Sequence, residues 1–552
     1  MALTSTVIYE VQTGGSDTLN GGCFDPAQTM LADLTATGAT STTPVVTSAS
    51  YAFTANDKFI FVKSGTNWQP GYYPILSFSG NTATLDAAIG KVMLYDTTTL
   101  QPNAANTVAG CSSNGTATIS TVGTWTIDYS QNAACVGLTN LSTASVTATT
   151  VILGAGFTKA MIGSGFSIPS GVTNATSGIY MITAVTAGVS ATLDRTWNTN
   201  IVAVGWTGGV GGAFASIGKV GSIQIIAGQS VFQKYSVTPY GITSTTANIS
   251  GGVYSIAISV GIFSGYNTTR HFSNTDLLMP TNQAQGISTC VLMTLSPYVV
   301  RNIIVDGQLL TSIQGIAVGG GNLYHCIAKN CTNSGIRQGY STGTTSVACL
   351  IQGCTTVAAL TGGGIFLNSA IIDCTGPSGA SAPTLINSVV RGCVIGILCN
   401  SINLYANNSV YNCSSDGFQA SNGNSGTLIN NISYGNTGKG FNGSGRSGFS
   451  LINCAEGSSS NSVLDPAFFT VVNYFRLTAN PWVNSSAAIT TIEDVWAAFA
   501  LNTVAGGGAV CRAAGYLPYL DIGSLQHQDS GGSSGGGTPI LASSIIRGLG
   551  VL

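Results

Sequence analysis

CIAKNC (326–331), CLIQGC (349–354), AIIDC (370–374), SVVRGC (388–393) and SVYNC (409–413) follow one another along the chain, each a short apolar run closed by cysteine. The closing residues Cys331, Cys354, Cys374, Cys393 and Cys413 recur every 19 to 23 positions, and NISYGN (431–436) and LINC (451–454) continue the pattern in weaker form. A unit of about 20 residues is too short for helical-pair repeats. Its β-branched cores, punctuated by Gly, Asn and Ser, predict an all-β parallel β-helix solenoid with one rung per repeat. Equivalent positions then stack at the inter-strand spacing of roughly 4.8 Å, so the five cysteines form an inward column along the axis.

Two other readings of these thiols are weaker. Cys326/Cys331 and Cys349/Cys354 are C-x4-C pairs, but a structural zinc needs four converging ligands, and the column runs on through Cys374, Cys393 and Cys413 without partners of their own. Stacked parallel side chains seldom supply the roughly 90° torsion of a disulfide. The expectation is buried free thiols and no metal.

Charged residues make up 7% of the 552, against about 25% in ordinary soluble domains, while 44% hydrophobic content argues against disorder. A net charge of −2 supplies no field for nucleic acid or anionic membranes. No apolar stretch approaches the ~20 residues of a membrane span, and MALTSTVIYEV lacks a basic region followed by an apolar one. No G-x-x-x-x-G-K-[ST] motif occurs, and no cofactor is implied.

Asp25-Pro-Ala-Gln recurs as Asp128-Tyr-Ser-Gln; Phe53-Thr54 matches Phe157-Thr158, GYYPI (71–75) matches GIYMI (178–182), and ATLD (83–86) matches ATLD (191–194). With the alternation in KFIFVKSG and GIYMITAV, this predicts two copies of a small antiparallel β module, 1–105 and 106–205. Asp25 and Pro26, ahead of Ala27, Met30 and Leu31, read as a helix start. The further division is 206–300 for the start of the β-helix, 301–460 for regular rungs, 461–529 for a C-terminal cap and 530–552 for a tail.

YEVQTGGSDTLNGGCFD (9–25), GGAFASIGK (211–219), SGYNTTR (264–270), the VDG rung (305–307), LDPAFFTVVNYFRLTANPWVNSSA (464–487) and YLDIGSLQHQD (519–529) together resemble a family of right-handed parallel β-helix proteins. That family occurs in tailed bacteriophages and environmental bacteria. The resemblance covers nearly the whole chain and implies the pectate-lyase-like superfold, with homotrimers as the expected assembly. It does not by itself imply an enzyme.

TTIEDVWAAFALNT (490–503) places Ile492, Val495, Trp496 and Phe499 on one helical face, with Thr490 and Glu493 as a capping box. A short helix capping the coil is expected. GGSSGGG (531–537) reads as a linker, and the apolar TPILASSIIRGLGVL (538–552) as a peptide that adds to a neighbouring subunit or virion protein, or to its own coil.

Glycosidase chemistry needs two flanking carboxylates, and a lyase needs a base with charge-neutralising partners. Between 300 and 460 the carboxylates are Asp306, Asp373, Asp416 and Glu456. Asp373 and Asp416 are closest in rung phase, two rungs apart, with Arg391 as the lyase-type partner; solvated turn residues and a surface ion pair are the plainer roles. No Trp lies in that stretch, so Trp68 and Trp125 become the glycan-binding candidates, with core packing as the alternative. GYSTG (339–343) matches the hydrolase elbow pattern but falls in a rung turn, and His271, His325 and His527 suggest no metal triad. The expected function is a non-enzymatic virion appendage of a tailed phage, a tail spike, tail fibre or head decoration, assembled in the host cytoplasm and released by lysis. It would contact other virion proteins and, at the host surface, a polysaccharide. A tailspike depolymerase and a bacterial surface or filament protein are the alternatives.

Overall fold

The computed structural model describes residues 8–17, 29–37, 45–48, 51–54, 59–65, 71–85, 116–122, 136–143, 150–158, 161, 165–217, 230–242, 255–256, 262–267, 278–287, 290–294, 298–318, 321–338, 344–355, 359–362, 364–381, 384–399, 404–420, 427–443, 449–457, 469–476 and 488–497. Two compact units divide the chain. The first is 1–94 with 102–282 and 294–303; the second is 95–101 with 283–293 and 304–552.

The first unit holds two closed antiparallel barrels with the same strand order. One runs Thr29–Thr37, Val45–Ser48, Thr82–Leu85, Gly71–Ser79, Phe59–Gly65, Thr116–Val122; the other runs Val136–Thr143, Val151–Leu153, Ser190–Leu193, Gly178–Thr186, Gly165–Ile168, Trp206–Val210. The duplicated anchors occupy like places: Ala83 and Ala191 are buried in matching strands, and Phe53 and Phe157 are buried at matching turns. The helix expected around Met30 and Leu31 is instead a strand, with residues 25–28 outside the described set. Its nine residues pair on both sides, with Val45–Ser48 and Thr116–Val122, and a closed barrel leaves no edge at which a local helix preference could prevail.

The first unit also begins a parallel coil. Ile8–Val11 pairs with Ser230–Lys234, which pairs with Ile262–Tyr266 and then Tyr298–Arg301. The chain start is locked by side chains: Tyr266 Oη donates to the buried Glu10 carboxylate, and Asp17 accepts from Ala215 N, Ser216 N and Ser216 Oγ. Buried Gln233 and Asn282 exchange reciprocal amide bonds of 3.0 and 2.9 Å. YEVQTGGSD, GGAFAS and SGY, distant in sequence, therefore meet, through the buried Glu10–Tyr266 contact and the exposed bonds of Asp17.

The second unit is a parallel β-solenoid. A rung has three strands, as in Ile365–Leu367, Ala370–Ile372 and Ser378–Ser381, and each stacks in parallel register on the next. Alternation sends Phe366, Leu385 and Tyr405 inward from the first strands, Ile351, Ile371 and Val390 from the second, and Leu360, Phe418 and Phe441 from the third, all buried. The rings of Phe418 and Phe441 stack at 5.0 Å.

The corners between strands explain the sequence pattern. At the first corner an outward residue takes positive φ: Ala348 (53°), Asn368 (49°), Asn387 (52°), Asn407 (54°) and Asn430 (54°). The next residue points inward, giving a column Cys326, Cys349, Ser369, Ser388, Asn408, Asn431 and Cys454. Each peptide N–H in the middle of this column donates to the side chain one rung on: Cys349 N to Ser369 Oγ (2.9 Å), Ser369 N to Ser388 Oγ (3.3 Å), Ser388 N to Asn408 Oδ1 (3.0 Å) and Asn408 N to Asn431 Oδ1 (2.9 Å). At the second corner Asn330, Gly353, Asp373, Gly392, Asn412 and Gly435 take positive φ, ahead of inward Cys331, Cys354, Cys374, Cys393, Cys413 and Asn436. Asn and Gly recur here because they adopt this backbone region at least cost. The C-x4-C spacing is thus the two corners on either side of one three-residue strand.

The helix Ile492–Ala497 forms, but its preceding segment lies on the flank of the coil, where Gln352 Nε2 donates to Ile489 O at 3.0 Å, rather than over the last rung. The capping pair is also shifted by one residue: Thr491 Oγ1 accepts from Asp494 N, and Asp494 Oδ2 accepts from Thr490 N, Thr490 Oγ1 and Thr491 N. Thr491, not Thr490, is the cap because the helix begins at Ile492.

Asn408→Ala removes the acceptor of Ser388 N and the donor to Leu385 O and Asn431 Oδ1. It is expected to cost about 3 kcal/mol in denaturant melting. Asn408→Ser, the residue that serves the two preceding rungs, should cost less than half of that.

Candidate functional site

The second strands end on an outward column containing Asp306, Lys329, Gln352, Ile372, Arg391 and Tyr411, and this column with its corner carries the candidate residues. Arg391 Nη2 donates to Asp373 Oδ2 at 2.9 Å; the aspartate side chain is 51% exposed and the arginine 14%. The pair spans adjacent rungs, with Asp373 itself forming the corner at positive φ. At the next corner the Cβ that Gly392 lacks would fall 2.4 Å from Asp373 Oδ1, so the carboxylate folds over that glycine. Asn412 repeats the arrangement with Gly435 two rungs on.

Asp416 is not in phase with Asp373. The register Ile372, Arg391, Tyr411 makes Asn412 the equivalent of Asp373. Asp416 lies beyond Cys413, in the turn leading to the third strand, where it is buried. Both of its oxygens are occupied, Oδ1 by Lys439 N (2.8 Å) and Oδ2 by Asn442 Nδ2 (2.7 Å). Spacing in the sequence brings Asp373 and Asp416 close in phase because the length of the turn after the second corner varies from rung to rung. The structure does not join Asp373 and Asp416 into a catalytic pair.

The remaining carboxylates of the coil are tied in the same way. Asp306 accepts from Gln308 N and Asn330 Nδ2 and pairs with Lys329 Nζ at 3.5 Å. Buried Glu456 accepts from Gly440 N at 3.1 Å.

The cysteine column is interior. Cys331, Cys354, Cys374, Cys393 and Cys413 are buried with free thiols, and each Sγ donates to the carbonyl two residues back, from 3.3 Å at Lys329 O to 3.8 Å at Gln352 O. Cys354 N donates to Cys374 Sγ at 3.4 Å, as Cys413 N does to Asn436 Oδ1 at 2.8 Å. The neighbouring thiol of Cys354, together with burial, pushes the Cys374 thiol far above its usual range, and burial does the same to Cys413. Among the described residues no cluster of three or more His, Cys, Asp or Glu is arranged to hold a metal. His325 is a buried first-corner residue at positive φ.

Trp68, Trp125 and the GYSTG segment lie outside the described residues. In the second barrel Trp197 is buried and its ring centroid lies 5.5 Å from that of half-buried Trp206, while Arg195 sits 4.2 Å over the Tyr180 ring. These rings fill the barrel core. No helix among the described residues is long and apolar enough to cross a membrane.

These registers define a parallel β-solenoid protein. No family model matches the chain, and no curated protein matches it. Similar solved structures include the catalytic domain of a GH87 α-1,3-glucanase in complex with tetrasaccharides (TM-score 0.27, 10% identity, 61% of this chain and 90% of that one). A pectate lyase is also similar (TM-score 0.26, 13% identity, 57% and 92%). So is ORF18 of Geobacillus virus E2 (TM-score 0.23, 14% identity), of which the match covers about half, 54% of that chain and 45% of this one. At such overlaps the likenesses carry no argument about activity, and the solenoid rests on this chain's own strand pairing.

Asp416→Asn places an amide N–H against Lys439 N–H or loses the bond from Asn442, and is expected to destabilise the coil by about 1–3 kcal/mol. Asp373→Asn, at a half-exposed ion pair, should change stability by less than about 1 kcal/mol. Equal and large losses in thermal melting would contradict these assignments. Of the fourteen cysteines, ten are described, free and buried, so a thiol reagent should reach at most the other four in the native chain and all fourteen after denaturation.

Proposed function

We propose that the chain is a structural appendage protein of a tailed-phage virion, in which the solenoid serves as a rod and does no chemistry. The observation that supports this reading is the employment of the coil's carboxylates. Asp306, Asp373, Asp416 and Glu456 each hold a turn, a corner or an ion pair of the solenoid itself. A polysaccharide-cleaving groove needs two acids held for substrate, one of them poised to give or take a proton. Here the acids are spent on backbone N–H groups and on Arg391. The scarcity of charge fits a protein that meets its neighbours through Ser, Thr, Asn and Gly surfaces within an assembly. Trimerisation and contact with a host glycan are part of the same proposal, with the third outer face of the coil as the surface open to them.

Immunogold electron microscopy with antibody against 300–460, on particles and cells from the source culture, should label phage particles. Label confined to cells would overturn the reading in favour of a bacterial surface protein. Incubating the purified chain with host polysaccharide should leave its size distribution unchanged. Cleavage abolished by Asp373→Asn without loss of fold would replace the rod with a depolymerase.

A further inference from the structure

Among the described residues the parallel coil begins at Ile8–Val11, and both barrels lie in sequence between that strand and its neighbour Ser230–Lys234. The barrels are therefore an insertion after the coil's first strand, and the two passages that join them to it run side by side. Gln12 N donates to Phe214 O, Phe214 N to Glu10 O and Ser16 N to Ala213 O, each at 2.9 Å, with Val11 and Phe214 bridged in parallel. Gly15 is pressed onto the returning passage. A Cβ there would fall 2.5 Å from both Ala213 O and Phe214 O, and the obstacle is backbone, which cannot turn aside as a side chain would.

A ladder of strands leaves unpaired N–H and C=O groups wherever it ends, and such an edge is a template for another chain. Segment 8–17 has the features that blunt one. Its strand is only four residues long, and Phe214 bonds its outer side. It also carries a fully buried carboxylate, Glu10, which accepts from Tyr266 Oη. A buried carboxylate is tolerated only where its donors are already placed, so this strand suits its own bed and no other edge. The strand beneath is of the opposite kind. Ser230–Lys234 presents β-branched and aromatic Val231 and Phe232, both fully buried, and no proline.

We propose that segment 8–17 is a strap that closes the first edge of the coil, and that lifting it lets two copies of this chain join edge to edge through Ser230–Lys234. Identical edges related by a two-fold axis pair antiparallel and close on themselves, so the product is a doubling of the parent assembly rather than a filament. Tethered in the same chain as its bed, the strap outcompetes a second copy through its effective concentration, and association waits on its release. The strap is thus an inhibitory contact built into the fold. The proposal does not depend on the virion reading.

The test compares the full chain with Gly15→Ala, with Asp17→Ala and with a chain lacking 8–17. Asp17 is exposed and Gly15 lies outside every strand, so neither substitution reaches the interior of a barrel or of the coil. Gly15→Ala drives the strap off the 213–214 backbone, and Asp17→Ala removes its bonds to Ala215 N, Ser216 N and Ser216 Oγ. Hydrogen exchange of the 230–234 amides is expected to rise about tenfold in each. Light scattering over a concentration series should show the parent mass doubling in the deletion, and a synthetic peptide of residues 6–17 should restore it, whereas the same peptide with Glu10→Lys should not. Unchanged exchange at 230–234 in both point variants would overturn the strap. A deletion chain that stays folded at the parent mass, or that forms fibres, would overturn the joining of two copies. Where the deletion does not fold, the double variant Gly15→Ala/Asp17→Ala carries the same mass measurement, and the parent mass at every concentration would overturn the proposal there.

Discussion

A solenoid has to turn at every corner without stranding a peptide N–H, and this coil meets the requirement with a two-residue device. The outward residue adopts positive φ and makes the bend; the inward one places a small acceptor over the N–H of the rung before it. Ser369, Ser388, Asn408 and Asn431 do this at the first corner, and Cys374 and Asn436 at the second. Asn, Asp and Gly suit the outward place because a short polar side chain, or none, lowers the cost of the left-handed region. The strands between corners are only three residues long in most rungs, so the corners, rather than long ladders, set the register. The inward acceptor also returns its proton: Ser369 Oγ donates to Leu367 O at 2.7 Å and Ser388 Oγ to Ile386 O at 2.9 Å. Each corner is thereby closed as a hydrogen-bonding unit, and the apolar interior can be continuous.

The same requirement accounts for the use of charge. In a coil with so few acids, each one described is tied to a turn, a corner or a neighbouring rung. Asp306 and Asp416 bond turn N–H groups, and Asp373 occupies a corner where Asn stands two rungs on. Replacing an amide by a carboxylate at a corner keeps the geometry and adds an anion, which Arg391 neutralises on the neighbouring rung. An ion pair across rungs can be mistaken in sequence for catalytic furniture, since it places opposite charges about one repeat apart. Partner geometry describes these acids as parts of the coil: Asp306, Asp416 and Glu456 accept from backbone N–H groups of its turns, and Asp373 accepts from Arg391 on the neighbouring rung.

How much of this was legible followed from how strictly chemistry repeats. The second corner announced itself because one residue type, cysteine, fills it for five rungs, and from that identity the rung length and the parallel coil followed. The first corner stayed hidden although it is equally regular, because Cys, Ser and Asn share the task and no identity repeats. The duplicated barrels were readable from anchors such as the two ATLD segments, where the buried alanine occupies the same strand of each copy. The helix expected near Met30 failed because a local start signal carries no knowledge of two flanking strands waiting to pair. The shift of the cap from Thr490 to Thr491 is a one-residue ambiguity of adjacent threonines, resolved by Asp494 and Thr491 bonding each other's N–H groups. The phase of Asp416 was beyond counting, since turns of unequal length separate the second and third strands.

The three outer faces differ in a way that bears on assembly. The first two carry apolar outward residues that are buried within the chain. The outward column of the third, Arg337, Thr361, Ser381, Leu398, Gln419 and Asn442, remains at least partly open along six rungs. Five of those side chains are polar and one is charged, so association there would bury hydroxyls and amides that need partners in kind. A neighbour that stacks an equally regular row of uncharged polar groups can supply them, whereas a smooth apolar surface would strand them. Because only one charge in the column is at stake, binding through this face would depend little on salt. The surface therefore suits periodic, uncharged hydrogen-bonding chemistry, as another rung-built flank or a neutral polymer presents.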